Sequence, residues 1–229
     1  MATRFSYDQI HHLKVLLEQK GFSPERLQEL YDSGILADLL DAQEPKKVNR
    51  ERLQRALLPS LFEPFSFIVI PDIDRHFVVR EKFIQDVGEK ALVKIAHISD
   101  SFSNCFISKV EDPIIGVPLK YANLNRNTFD EEIHEEIGRA NLETRLSQIF
   151  FLMTAQGDGK MGPLLVNGRV NGFYARDDSF ERRVVSVFWS ASLGGWVATS
   201  DPCDDLEGLR LAGERLFFWN YFEARRFLS

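Results

Sequence analysis

The sequence predicts an α+β fold: a helical N-terminal module over residues 1–60, then a mixed domain over residues 61–229 in which antiparallel strands pack on a long helix. Three observations predict it. Apolar residues recur at helical spacing as far as Pro59. From Phe65 the period changes to short β-branched and aromatic runs. Asn-Gly and Gly-Gly dipeptides then divide the C-terminal part into an antiparallel meander.

The helical stretch is read from its starts and stops. Ser6 and Gln9 have capping-box spacing, and Ile10, Leu13, Leu16 and Leu17 come next on one helical face. Gly21 occupies a C′-like stop. Ser23–Pro24–Glu25 restarts the helix with a cap, a proline at the first position and an acid in the first turn. Leu27, Leu30 and Tyr31 continue it, and Ile35, Leu36, Leu39 and Leu40 resume after Gly34. A polar loop over residues 43–49 leads to Asn49, which caps a third helix through Leu53, Ala56 and Leu57 before Pro59.

Phe65–Ile70, Phe77–Arg80, Ala91–Ile98 and Phe106–Val110 read as strands. Thr128 and Glu131 form a second capping box, opening the longest helical pattern through Phe129, Ile133 and Ile137. It resumes after Gly138 through Leu142, Leu146, Ile149, Phe150 and Met153. An interior glycine costs about 1 kcal/mol relative to alanine, so the pattern is one kinked helix or two. Asn167–Gly168 and Asn171–Gly172 are hairpin turns, Val185, Val187 and Trp189 share one strand face, and Gly194–Gly195 turns into Trp196–Ser200. Phe217–Phe222 is the last aromatic run.

The stretches EKFIQDVGEKALVKIAHISDSFSNCFISKVEDP, LSQIFFLMTAQGDGKMGPLLVNGRVNGFYARDD and RRVVSVFWSASLGGWVATSDP resemble a group of uncharacterised proteins from candidate-phyla bacteria. The likeness covers residues 75–222 and is carried mainly by the series from Gly162 to Ala198. It implies no catalytic or binding residue.

Composition narrows the function classes. Hydrophobic content of 44% and charged content of 27% belong to a folded globular chain. The 19 Phe residues, against 5 Tyr and 3 Trp, are expected mostly in the core, since the ring has no polar handle. Net charge is −6, and residues 1–60 are neutral with 9 basic and 9 acidic side chains, so the excess lies beyond them. An acidic chain is a poor match for phosphate backbones, which argues against a nucleic-acid partner. Cys105 and Cys203 stand 98 residues apart without a Cys-x-x-Cys pattern and are expected as thiols in a reducing compartment. The N-terminal MATRFSYDQIHH lacks an apolar core, and no apolar run reaches membrane-spanning length, so a soluble cytoplasmic protein without a membrane partner is expected.

The motifs carry little chemistry. Gly157–Asp158–Gly159–Lys160 has Thr154 and Met161 where a phosphate loop needs glycine and a hydroxyl, and is read as a turn. Asp72, Asp74 and His76 miss a calcium loop because Phe77 replaces its glycine. Glu131 and His134 have di-metal bundle spacing in a single copy and are read as a solvated acidic face. His11 and His12 point about 100° apart on a helix and do not share a metal. Cys105, with His97 or His134 as a possible base elsewhere in the chain, is read as a small buried residue. No catalytic residue, metal or cofactor is assigned.

Three functions stay open: a non-enzymatic protein-interaction module, which is favoured; a small enzyme whose polar residues meet only in space; and a regulator that places its N-terminal helices in DNA. Against the last, Arg26 is outnumbered by Glu25, Glu29, Asp32, Asp38 and Asp41. For the module, Trp196, Tyr174 and Arg176 are the expected binding residues, with at least one of them largely accessible, because Trp, Tyr and Arg dominate interface hot spots.

Overall fold

A computed structural model of the chain describes residues 60–203 and 208–219, together with His11, His12, Lys14, Val15, Ser23, Gln28 and Asp32. The helices expected over residues 1–58 lie outside the described residues apart from these positions. Contacts divide the chain into two units, Met1–Pro59 and Ser60–Ser229, and the architecture below is that of the second.

Sheet organises this unit, which corrects the expectation of antiparallel strands on a long helix. Seven strands form one mixed sheet in the order β1 (Ser66–Ile70), β5 (Val117–Asn123), β11 (Arg215–Trp219), β7 (Asn171–Arg176), β8 (Arg182–Ser190), β9 (Gly195–Pro202) and β3 (Ile95–Ile98). β11 runs parallel to β7, and β3 parallel to β9; the other neighbours are antiparallel. Two ribbons stand apart, β2 (Phe77–Val78) with β4 (Val110–Glu111) and β6 (Thr128–Phe129) with β10 (Leu209–Arg210).

The helices are short: α1 (Val79–Lys82), α2 (Asp100–Phe106), α3 (Asp130–Ile137) and α4 (Leu146–Ala155), the longest described at 10 residues. Gly138, at φ 83°, ends α3 in the left-handed region, and a 3₁₀ turn over Arg139–Asn141 redirects the chain. Thr128 is no cap either. It lies in β6 and donates its hydroxyl to Glu132 Oε2 at 2.7 Å. Asn171–Gly172 is likewise strand rather than turn: the Asn171 side chain donates to the Leu165 and Val187 carbonyls and accepts from the Leu165 N–H.

Both faces of the sheet are covered. On the first, Leu119, Phe173, Val185, Val187, Trp196 and Phe217 pack beneath α4, with Phe102 and Phe106 of α2 continuing the layer. On the second, Ala122, Tyr174, Val184, Leu216 and Phe218 meet Leu61, Phe62, Leu142 and Ile133 of α3. Two covered faces explain why β8 reads Val184–Val185–Ser186–Val187 with all four buried. Each buried Phe stabilises by about 1.5–3 kcal/mol. At the β1 end the second face is open: Phe65, Phe67 and Val69 form an exposed apolar row, Phe67 at 69% accessibility.

Among the described residues, both apolar clusters draw every member from position 61 onward. A fragment of residues 60–229 is therefore expected to unfold in one cooperative urea transition with intact near-ultraviolet circular dichroism. A broad, non-cooperative transition would show that residues 1–59 are needed for the core.

Candidate interaction site

The second face hides a polar hub. Asp130 opens α3 with no accessible surface, and its carboxylate accepts the Tyr174 hydroxyl at 2.6 Å and Arg210 at 3.0 and 3.2 Å. Burial, reinforced by Asp130, pushes the Tyr174 phenol well above its ordinary range. Burial pulls Arg210 down, but the Asp130 bonds outweigh it and hold the guanidinium above its ordinary value. Glu214 sits beside the pair. Burial raises its carboxyl, Asp130 adds to that, and Oε2 has no hydrogen-bond partner among the described residues.

The three expected binding residues are therefore distributed differently. Tyr174 has 0% of its surface exposed and belongs to the hub. Trp196 is also sealed, packed edge-on against Trp189 at 5.5 Å with its indole N–H donated to the Gln156 carbonyl. Its alternation with Ala198 points it at the first face, and α4 covers that face. Arg176 is partly exposed, but it is held at both ends: Nε donates to Glu143 Oε2 at 2.9 Å, and Nη1 donates to the Phe180 carbonyl at 3.0 Å. None of the three offers the largely accessible surface that the sequence reading expects.

Arg176 leads to the exposed group that spacing does not reveal. The loop from β7 to β8 is organised by Asp177, whose buried carboxylate accepts the Ser179 N–H at 2.8 Å, the Glu181 N–H at 2.9 Å and Arg183 Nε at 3.0 Å. Burial opposes ionisation of Asp177, but these donors outweigh it and hold the carboxyl below its ordinary value. The backbone closes the loop with Asp177 N–H to Glu181 O at 2.9 Å and Phe180 N–H to Asp177 O at 3.1 Å. Asp178 ties it to α2 through its N–H to the Cys105 carbonyl, and its side chain accepts Ser108 Oγ. At the tip, Phe180 stands at φ 62° with 77% of its surface exposed. A side chain in that left-handed region costs about 1–2 kcal/mol, and an exposed ring recovers none of it by burial.

No protein-family model matches the chain, and neither does any curated protein or solved structure.

The other sequence candidates occupy ordinary structural positions, with one exception. Asp158 pairs with Lys94 at 2.8 Å, and Gly159, at φ 68°, lies under the Trp189 ring, where a Cβ would stand 2.3 Å from it. His11 and His12 are both exposed. Among the described residues no three His, Cys, Asp or Glu side chains converge as metal ligands. No helix among them is long and apolar enough to cross a membrane. The exception is His134. Glu131 is exposed, but His134 is buried against the Tyr174 ring at 5.4 Å, which corrects the solvated reading of that histidine. Cys105 packs against the first-face cluster, while Cys203 meets His134, its Sγ 3.5 Å from Nε2. The separation of 69 positions makes that pair invisible to spacing.

The hub has two measurable consequences. Tyr174→Phe removes a bond to a charged acceptor and is expected to cost about 1.5–3 kcal/mol in urea unfolding. Arg210→Met leaves a buried carboxylate without its cation and is expected to cost more, about 3–5 kcal/mol. Equal losses would show that the phenol matters as much as the charge. Glu214 gives a pH signature. Its folded-state value is raised, so its contribution is present below the unfolded carboxyl value of about 4.3 and is lost as pH rises through the folded value. Glu214→Gln should therefore stabilise the protein at pH 7 and leave it unchanged at pH 4, as read by thermal melting at the two pH values.

Proposed function

We propose that the chain is a protein-interaction module and that Phe180 is its anchor. The observation that carries this reading is the coincidence of two costs at one residue, a left-handed backbone and an exposed aromatic ring, inside a loop that at least six bonds hold in place. Strain of this kind persists only where surrounding structure imposes it, and it gathers at functional sites. Phe is also among the aromatic residues enriched in protein interfaces. Asp178 and Glu181, both exposed, flank the ring. The partner that fits is a protein with an apolar pocket rimmed by Lys or Arg.

Placing the photocrosslinking residue p-benzoylphenylalanine at position 180 in expressing cells is expected to trap a discrete adduct. The same probe at Met161, the more exposed apolar position at 93%, is expected to trap none. Phe180→Gly should compete poorly for that partner while melting no lower than the parent, because glycine removes the left-handed penalty. Identical adducts from both positions, or none from position 180, would refute the reading. Loss of the partner in Phe67→Asp but not in Phe180→Gly would move the docking surface to the open edge of β1.

A further inference from the structure

We infer that Cys203 and His134 form a nucleophile–base pair that makes Cys203 the site of thiol oxidation by hydroperoxides. The geometry carries the inference. Cys203 comes directly after β9, is partly exposed, and brings its sulfur to 3.5 Å from His134 Nε2, within hydrogen-bonding reach of a sulfur atom. The imidazole is not a mobile surface group. Asp130, Ile133 and His134 lie on the inward side of α3 at three- and four-residue spacing, all three are buried, and the His134 ring rests on Tyr174. Tyr174 is in turn fixed by Asp130, and Asp130 by Arg210. The base is thus held in place by a buried ring contact and the bonds behind it, while Cys203 is only partly buried.

The groups around the pair suit a proton transfer from sulfur to nitrogen. Asp130 has its charge matched by Arg210, and the buried Tyr174 phenol keeps its proton, so neither offers a competing base at neutral pH. The Sγ proton passes to Nε2, leaving a thiolate beside an imidazolium. The thiolate attacks the terminal, hydrogen-bearing oxygen of a hydroperoxide. The S–O bond forms as the O–O bond breaks, and the departing oxygen takes a proton from the imidazolium and leaves as an alcohol, or as water when the oxidant is hydrogen peroxide. Cysteine is oxidised to the sulfenic acid, the peroxide is reduced, and His134 returns to its neutral form.

The fold also determines the fate of the sulfenic acid. Cys105 packs against the first-face cluster and Cys203 against the second. The oxidised sulfur is therefore expected to be resolved by an external thiol.

Cys105 serves as an internal reference, because both cysteines are thiols of intermediate exposure and Cys105 has a cation beside it, Arg183, but no histidine within hydrogen-bond reach among the described residues. The full-length protein, treated with limiting hydrogen peroxide and then dimedone, is mapped by peptide mass spectrometry. Cys203 is expected to be trapped about tenfold faster than Cys105 at pH 7. Its iodoacetamide rate should fall less between pH 7 and pH 5 than that of Cys105. In His134→Gln the Cys203 profile should fall to the same slope. Should that variant fail to fold, the two wild-type profiles decide. Equal trapping of both cysteines, or parallel wild-type profiles, would overturn the inference.

Discussion

A carboxylate buried at the first position of a helix has few ways to be satisfied, and the arrangement of the second face depends on how Asp130 is. It takes one donor from the central strand β7 and two from β10, and its own N–H is given to the Gly208 carbonyl. Those bonds fasten α3 across the sheet and align the β6–β10 ribbon beside it. Desolvating such a pair costs several kcal/mol, which the mutual attraction and the added hydrogen bonds must offset. An apolar cluster of equal volume could stabilise as much. What it could not do is set the register of α3 against β7, because apolar contacts have no direction while a bidentate guanidinium does. Covering the second face in this way also suits a mixed sheet, since parallel strands are usually buried on both sides. With both sides buried, β11 can insert between β5 and β7, parallel to β7, without exposing either side of its Leu216–Phe217–Phe218 run.

Much of this is legible in the strands and little of it in the layers. The runs that form β1, β8 and β9 stand out because β-branched and aromatic residues cluster between turn residues, and Gly194, at φ 65°, marks the turn before β9 as expected. The discrepancies share one cause. Local spacing makes Thr128 a cap and Asn171–Gly172 a turn, whereas each side chain is committed to partners that spacing does not see, Glu132 for one and Leu165 and Val187 for the other. The long helix fails at Gly138, where the chain uses a left-handed residue to end α3 and reorient before α4. Tyr174 belongs on a binding face only if the sheet is covered on one side. A buried phenol and a buried acid 44 positions apart leave no periodic trace.

The candidate site shows the same limit from the other side. Asp177–Asp178–Ser179 is recognisable as a polar turn, since Asp at the start of a loop bonds the backbone two residues on, as Asp177 does to Ser179. Nothing in the sequence says that Phe180 takes the left-handed position, because Gly, Asn or Asp is the ordinary choice there. The bonds from Asp177 to Ser179 and Glu181 fix the loop from inside, and Arg176 and Arg183 clamp it from the flanking strands. The conformation is thus imposed by neighbours, and the phenylalanine conforms to it.

That rigidity bears directly on binding. Association costs free energy for every side chain and loop that must be ordered, about 0.5–1.5 kcal/mol for each immobilised side chain. A ring with two torsions, carried on a loop whose backbone is already bonded from Asp177 to Glu181, has most of that ordering behind it. In the proposed complex the strain at Phe180 would belong to both free and bound states, lowering the stability of the chain without weakening association. Arg176 would therefore act on the proposed anchor without serving as one. Its guanidinium joins the Phe180 carbonyl to Glu143, which lies between the 3₁₀ turn and α4, and so ties the tip of the loop to the body of the fold.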